Sequence, residues 1–353
     1  MKFDFCIGNP PYQEEVENES TTNGQKPRKN IFHYFQIEAD KIVSKGSVLI
    51  YPGGRWIHQS GKGLKQFGKE LINDHKLSIV EFHPNAKELF GNAADLADGV
   101  TIVTKRKDKE TAGFEYIYVT DDYEKKVFMN NPGDDLMPLN PNNIQIIEKI
   151  KKFVKTNNLH YLHDAILPRS LFSIESDFVD KNPSKVRPYV ESEHIDYEKE
   201  IKLLTNDRAG KAGRAKWFIS KRDVITQNIE YIDEFQVVVS SANAGGQKRD
   251  NQVEIIDNHS AFGRARVALR SFKTYDEAHN FYMYVKTYFI RFAFLMTDEA
   301  LTSLGALVPD IGNYSIGNKT LNFNEDLDNQ LFKLLNLDDD EITYIKNVID
   351  TLR

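Results

Sequence analysis

One cysteine, Cys6, stands in the 353 residues. No internal disulfide can form, which excludes a disulfide-stapled secreted scaffold. Cys6 falls inside the first strand-like run and reads as a small apolar core residue in a reducing compartment. Long uncharged apolar runs are also missing. The most apolar stretch, 278–296, contains Lys286 and Arg291, so it predicts a buried or amphipathic helix and no membrane span. No signal peptide is expected ahead of the first strand, and the expected location is the cytoplasm. Repeats and low-complexity segments are absent. The nine histidines are scattered; His160 and His163 lie three apart with no further ligand at a metal-site spacing, so no metal is expected. Asp98 and Lys105 occur in a strand context but lack the intervening acidic residue that a nuclease motif needs.

What is present is ordinary globular composition, 40% hydrophobic and 28% charged, enough for two domains. The net charge of −6 does not point to nucleic acid, but its distribution is uneven. Between Asn206 and Lys273 there are 12 Lys/Arg against 8 Asp/Glu, leaving 34 against 44 elsewhere. A basic segment in an acidic protein can steer a polyanion to one face; it is also what a solvated loop surface looks like.

The first part alternates strand and helix patterns. Residues 3–7, 47–51, 77–82, 100–104 and 114–119 read as strands, and 30–44 and 64–73 as helices, which predicts a mainly parallel sheet covered by helices. Asn140-Pro141 predicts a helix start, with an N-cap followed by proline at the first helical position. Beyond residue 159 the texture changes to short strands (216–220, 236–240, 252–256, 266–270) with one long helix over 275–296. Two amphipathic helices are expected in 326–352. The expected organisation is α/β, with segments 1–158, 159–325 and 326–353.

The stretch "DFCIGNPPYQ", Asp4 to Gln13, carries the chemistry. A strand ends in Gly8, and Asn9-Pro10-Pro11-Tyr12 follows at the end where ligands bind in open α/β sheets. Two prolines fix the backbone and remove competing amide donors. The Asn9 side-chain oxygen beside the Pro10 carbonyl makes a pair of acceptors suited to an exocyclic NH2 group. Tyr12 offers a flat face on which a heterocycle can stack. A stacked base with an exposed amino group is what adenine or cytosine presents when flipped from a duplex. A rigid strand-to-loop turn capped by a packed tyrosine is the structural alternative.

On "FDFCIGNPPYQ", "GSVLIYPGGRWI" and "ELFGNAADLADGVTIVTKRK" the chain resembles the γ-class DNA adenine-N6 amino-methyltransferases of restriction–modification systems. The resemblance covers about the first 110 residues in motifs and the rest only in layout. It implies an incomplete Rossmann-like methyltransferase half-domain, a mixed α+β DNA target-recognition domain and a helical tail. It further implies that Asn9 and Pro10, with Pro11 shaping the loop, bind the target amino group. Tyr12 would stack on the base and Phe90 would form the second wall, with Phe82 as rival. Acceptors at Asn9 and Pro10 would make the amino nitrogen nucleophilic toward the sulfonium methyl of S-adenosyl-methionine, so that catalysis rests on placement and electrostatics.

The pattern departs from the family in one large respect. Only eight residues precede Asn9, and the family's cofactor motifs lie upstream of it. Three downstream glycine-rich stretches, 61–68, 208–216 and 241–247, lack the strand–turn–helix context and read as turns. The cofactor is therefore expected to need a partner: a cofactor-binding or restriction subunit, or a second copy of the chain. The opening strand is then expected to be a sheet edge that another chain, a second copy or a downstream element folding back covers. Double-stranded DNA is the expected substrate. Its expected contacts are the basic loop with Lys26, Arg28 and Lys29, the basic–aromatic run with Lys211, Arg214 and Lys216, and Arg264, Arg266 and Arg270, whose even spacing would place them on one strand face. The rival reading is a non-catalytic DNA-recognition or restriction subunit that keeps the base pocket; an RNA or protein methylase is a weaker third.

Overall fold

The computed structural model describes residues 2–15, 28–54, 56–57, 63–91, 96, 98–133, 137–210, 212–241, 253–296 and 303–351. They form two compact units, residues 1–144 and 145–353.

The first unit opens with β1 (Phe3–Gly8) and a short ribbon, β2 (Gln13–Glu15) against β3 (Arg28–Asn30). Then come α1 (Phe32–Ile42), β4 (Val43–Pro52), α2 (Lys65–Ile72), β5 (Leu77–His83), α3 (Lys87–Phe90), β6 (Val100–Arg106), β7 (Phe114–Val119) and β8 (Glu124–Met129). The six long strands make one sheet in the order β1-β4-β6-β5-β7-β8. It is mixed rather than mainly parallel: only β1 with β4 and β5 with β7 run parallel. The reason lies in the connections. A parallel neighbour needs a crossover of a dozen or more residues, usually a helix, and α1 supplies one between β1 and β4. The β7–β8 connection is a hairpin, so that pair runs antiparallel; β5 and β6 also run antiparallel, and among the described residues their connection carries the one-turn α3.

Both longer helices cover the same face of this sheet. Phe32 and Ala39 of α1 and Phe67, Leu71 and Ile72 of α2 pack with Leu49, Tyr51, Val80, Phe82, Val103, Phe114 and Tyr116. Strand pleating puts the alternate residues on the other face. Through the pairings Ile7 with Val48 and Ile50 with Ile102, these include Phe5, Ile7, Val48, Ile50 and Ile102. At the β1 end this second face is open: Phe3, Phe5 and Ile7 are 51%, 59% and 77% exposed.

Polar links hold α1 to the sheet. Buried Gln36 donates to Asp40 (2.8 Å) and Ser47 (3.1 Å) and accepts from the Tyr51 hydroxyl. Lys105 of β6 is buried, and its ammonium bridges Asp40 of α1 and Asp74 before β5, the latter at 2.6 Å.

The second unit contains α4 (Ile144–Thr156), β9 (His160–Tyr161), α5 (Phe178–Lys181), β10 (Val186–Pro188), β11 (Glu200–Asn206), β12 (Ala215–Lys221), β13 (Phe235–Ser240), β14 (Val253–Ile256), β15 (Ser260–Phe262) and β16 (Arg266–Phe272). It closes with α6 (Tyr275–Val285), α7 (Tyr288–Leu295), β17 (Pro309–Asp310), α8 (Leu327–Leu334) and α9 (Asp339–Asp350). One sheet runs β10-β12-β11-β15 and another β14-β13-β16. β13 separates two cores: Val237 and Val239 pack with α6 and α7, while Val238 packs with Ile201, Leu203 and Phe262.

Two expectations change here. The single helix predicted over 275–296 is broken at Lys286-Thr287. The Thr287 hydroxyl caps α7, and the Asp328 carboxylate accepts from the amides of Tyr288 and Phe289 at 3.1 and 3.2 Å. The segments expected at 158 and 325 are not separate bodies. Ile147 and Ile150 of α4, Leu331 of α8 and Ile345 of α9 share the core of α6 and α7.

Asp207, at the β11–β12 turn, accepts from Lys216 Nζ (2.7 Å) and from the amide of Arg214 (2.9 Å). These donors hold its carboxyl down at about 2. A depressed carboxylate pKa contributes stability that is present above the ordinary value and lost as pH falls through the folded value. Asp328 has the opposite sign, because burial raises it. We expect carboxyl-carbon NMR to titrate Asp207 near 2, and Lys216→Ala to move it up toward the ordinary value. An Asp207 midpoint that does not move would show that the ion pair is not formed in solution.

Candidate base-binding loop

The loop Asn9–Tyr12 leaves the carboxyl end of β1, where Gly8 pairs with Leu49 of the parallel β4. It is fastened at both ends. At its far end the amide of Ile31 donates to the Tyr12 carbonyl (3.0 Å), and in the ribbon the Gln13 side chain donates to that of Asn30 (3.0 Å). Asn9 and Pro11 are exposed, Pro10 is buried and Tyr12 is half-buried, its ring packed on the α1–α2 core. Asn9 and Pro10 thus stand at the carboxyl end of β1, one exposed and the other buried.

Among the described residues the Tyr12 hydroxyl is cut off from solvent and has no hydrogen-bond partner. Burial pushes its pKa up, and the neighbouring Asn9 side chain draws it partly back. At the start of α1, the His33 ring stands 4.0 Å from that of Tyr34 and 5.5 Å from that of Phe67. Burial, then Lys29, lowers the His33 pKa. Lys29 Nζ lies 5.2 Å from the centre of the exposed Tyr34 ring. Sequence reasoning passed over His33 and Tyr34; the available signal was the basic–aromatic succession Arg28, Lys29, His33, Tyr34.

Phe90 ends the four-residue α3 and is half-buried; no ring contact joins it to Tyr12 among the described residues. Its rival Phe82 is 3% exposed and packed in the core beside Tyr118, which removes it as a wall.

The expected DNA contacts are less uniform than their spacing implied. Lys26 and Lys211 lie outside the described residues. Arg28 is 3.8 Å from Glu15, and Arg214 donates to the Gly213 carbonyl (2.9 Å). Arg264, Arg266 and Arg270 do not form a row on one strand face. Arg264 precedes β16. A bulge then shifts the register, so that Arg270 pairs with Val237 and Ala268 with Val238. The extra residue sends Arg266 and Arg270 to opposite faces. Each arginine also has a carboxylate partner: Glu175 at 2.9 Å, Glu254 at 2.6 Å, and Asp310 for Arg270.

After β4, Gly53 and Gly54 approach the chain itself: added Cβ atoms would meet Asp98 Cβ at 2.9 Å and Leu139 Cδ2 at 2.9 Å. These two glycines serve internal packing. The stretch 61–68 is described only from Gly63, and 241–247 only at Ser241. The stretch 208–216 joins two antiparallel strands and opens no helix. No group of three or more possible metal ligands occurs among the described residues, and no helix among them is long and apolar enough to cross a membrane.

Residues 1–90 match the Eco57I restriction-modification methylase family. No curated protein matches the chain. Three solved structures illustrate the likeness further. The type IIL restriction-modification enzyme MmeI in complex with DNA is 9% identical at a TM-score of 0.41, over 89% of this chain and 45% of that one. The type IIG restriction endonuclease BpuSI is 10% identical at 0.33, over 94% and 48%. A type I restriction-modification methyltransferase subunit from Streptococcus thermophilus is 17% identical at 0.25, over 44% and 32%. The chain spans about a third to a half of the length of these structures.

Proposed function

We propose that this chain supplies the base-binding half of a DNA adenine-N6 methyltransferase in a restriction–modification system. The observation that carries the reading is the loop Asn9–Tyr12. Exposed Asn9 and buried Pro10 stand at a strand's carboxyl end beside a core-anchored tyrosine, and we read Asn9 Oδ1 and the Pro10 carbonyl as an acceptor pair. The match of residues 1–90 to a methylase family supports it. The acceptors hold the two hydrogens of a flipped adenine's N6, and Tyr12 gives the ring a stacking face with Phe90 as the opposing wall. Methylases of this kind draw the methyl group from S-adenosyl-methionine. We assign that site to a partner chain or a second copy meeting the edge of β1, which pairs only with β4 among the described residues. The non-catalytic recognition or restriction subunit is the second reading, favoured by the internal packing of Gly53 and Gly54.

The second unit is the proposed target-recognition part. Arg214, Lys216, Arg264, Arg266 and Arg270, with Lys211, are its proposed phosphate contacts, joined from the first unit by Lys26, Arg28 and Lys29. Binding must then exchange each carboxylate partner for phosphate, so the salt dependence should be shallower than the number of basic residues suggests.

The test is base flipping. The full chain is added to random-sequence duplex DNA in which 2-aminopurine replaces a share of the adenines. Extrusion of the base should raise its fluorescence, and Tyr12→Ala should remove most of the change, since stacking on an aromatic contributes about 1–3 kcal/mol per base. Saturating DNA binding with no fluorescence change would overturn the reading.

A further inference from the structure

The turn from β14 to β15, Asp257-Asn258-His259, is fastened on several sides. The Asp257 carboxylate accepts from Lys202 Nζ of β11 (2.9 Å), and the amide of Lys202 donates to the His259 carbonyl (3.1 Å). His259 Nδ1 stands 2.9 Å from Asp233, whose two oxygens accept from the Arg222 guanidinium at 3.0 and 2.7 Å. The Tyr197 ring lies on the imidazole, with 4.8 Å between centroids and 26° between planes. His259 is itself left-handed, at φ 60°. Few residues other than glycine adopt that backbone, and they keep it where the surroundings enforce it. The turn still reaches solvent: Asp257 is exposed, and Asn258 and His259 are half-buried.

Fixing the imidazole fixes its neighbour. An ionised carboxylate only accepts, so Nδ1 donates to Asp233, and in the neutral ring Nε2 is then an acceptor. Arg222, and after it His259, hold the Asp233 carboxyl below its ordinary value, which keeps it ionised. Asn258 Nδ2 lies 3.4 Å from Nε2 and is the donor to it. One hydrogen of that amide is thereby engaged. The other hydrogen and Oδ1 have no partner among the described residues, and they leave a donor beside an acceptor. The major-groove edge of adenine is the complement of this pair, with N7 accepting and N6 donating, and the other three bases do not present it.

We propose that Asn258 is a specificity-determining residue that reads an adenine in the major groove of duplex DNA, with His259 as the positioning residue that turns its amide. This rests on the second unit being the target-recognition part. The adenine read here stays stacked in the duplex and is not the base extruded to the Asn9–Tyr12 loop. The basic residues proposed as phosphate contacts set register and affinity but carry no sequence information, and the turn supplies it.

The test is selection of random-sequence duplex DNA on the full chain. The wild type should enrich a motif containing a fixed adenine. Asn258→Ala should relax one adenine position, lowering discrimination there about tenfold or more, with the other positions, the salt slope and the melting temperature unchanged. His259→Asn, whose side chain tolerates the left-handed backbone, should relax the same position and no other. An unchanged motif in Asn258→Ala, a loss spread evenly over all positions, or a wild type that enriches no motif overturns the proposal. Arg264→Ala separates this from the underlying reading, since it should weaken binding to all sequences alike. If it does so while Asn258→Ala keeps the motif, the turn is wrongly assigned and the recognition part stands. A measurement without DNA tests the relay. In nitrogen-15 histidine NMR in mildly alkaline buffer, the His259 signal, identified by its loss in His259→Asn, should show a protonated Nδ1 and a bare Nε2. The opposite tautomer overturns the proposal, because a protonated Nε2 cannot accept from Asn258.

Discussion

Replacing Lys105 by methionine should destabilise the first unit by about 2–3 kcal/mol, the largest loss expected from any single surface-neutral change near the loop. The Lys105 side chain is 9% exposed and faces two carboxylates, Asp40 and Asp74, whose side chains are 27% and 31% exposed. Removing one partner of a fully buried pair costs about 3–5 kcal/mol, because a charge is left without compensation. Here partial solvation of the two aspartates trims that figure, while their mutual repulsion adds to it. The consequence reaches the candidate site through α1. Asp40 lies near the end of that helix, and Ile31 at its start holds the Tyr12 carbonyl. Urea unfolding of the wild type and Lys105→Met measures the loss. A difference under about 0.5 kcal/mol, the usual range for surface substitutions, would mean that solvent already screens the triad.

Phe5→Lys with Ile7→Lys should turn a self-associating chain into a monomer without lowering its melting temperature. Both side chains stand mostly in solvent on the outermost strand, so no core contact is lost. β1 is paired only with β4 among the described residues, and its outer edge offers free amides and carbonyls. Exposed apolar edge strands promote strand pairing between molecules, and a lysine on the edge is a common way of blocking it. Sedimentation velocity over a range of concentrations should show the wild type growing in mass and the double variant constant. A wild-type chain that sediments as a monomer throughout, with rapid hydrogen exchange along β1, would remove the physical support for a partner at this edge.

The strands over 77–82, 100–104 and 114–119 were legible because apolar alternation and turn residues are local properties, and the structure places β5, β6 and β7 there within two residues. The Asn-Pro-Pro-Tyr loop was legible for the same reason: proline fixes φ wherever it stands. Strand direction was not. The connection between β5 and β6, residues 84–99, is long enough for either direction, and the pairing partner alone settles that they run antiparallel. The break between α6 and α7 was only partly legible: its cap, Thr287, is local, but Asp328, which accepts from the first two amides of α7, comes from about forty residues away.

The arginines show the same limit at single-residue scale. Even spacing on 264, 266 and 270 implied one face, and a bulge that exists only through pairing with β13 divided them. The sequence by itself determined a rigid loop with an amide and an aromatic ring at the end of the first strand, because those follow from residue types and a proline-fixed backbone. Tertiary structure decided what surrounds them: that Tyr12 packs on the α1–α2 core, that Phe82 belongs to that core, that Lys105 is held by two carboxylates, and that β1 is an edge among the described residues. Burial and pairing are sums over residues distant in sequence, and no local pattern encodes them.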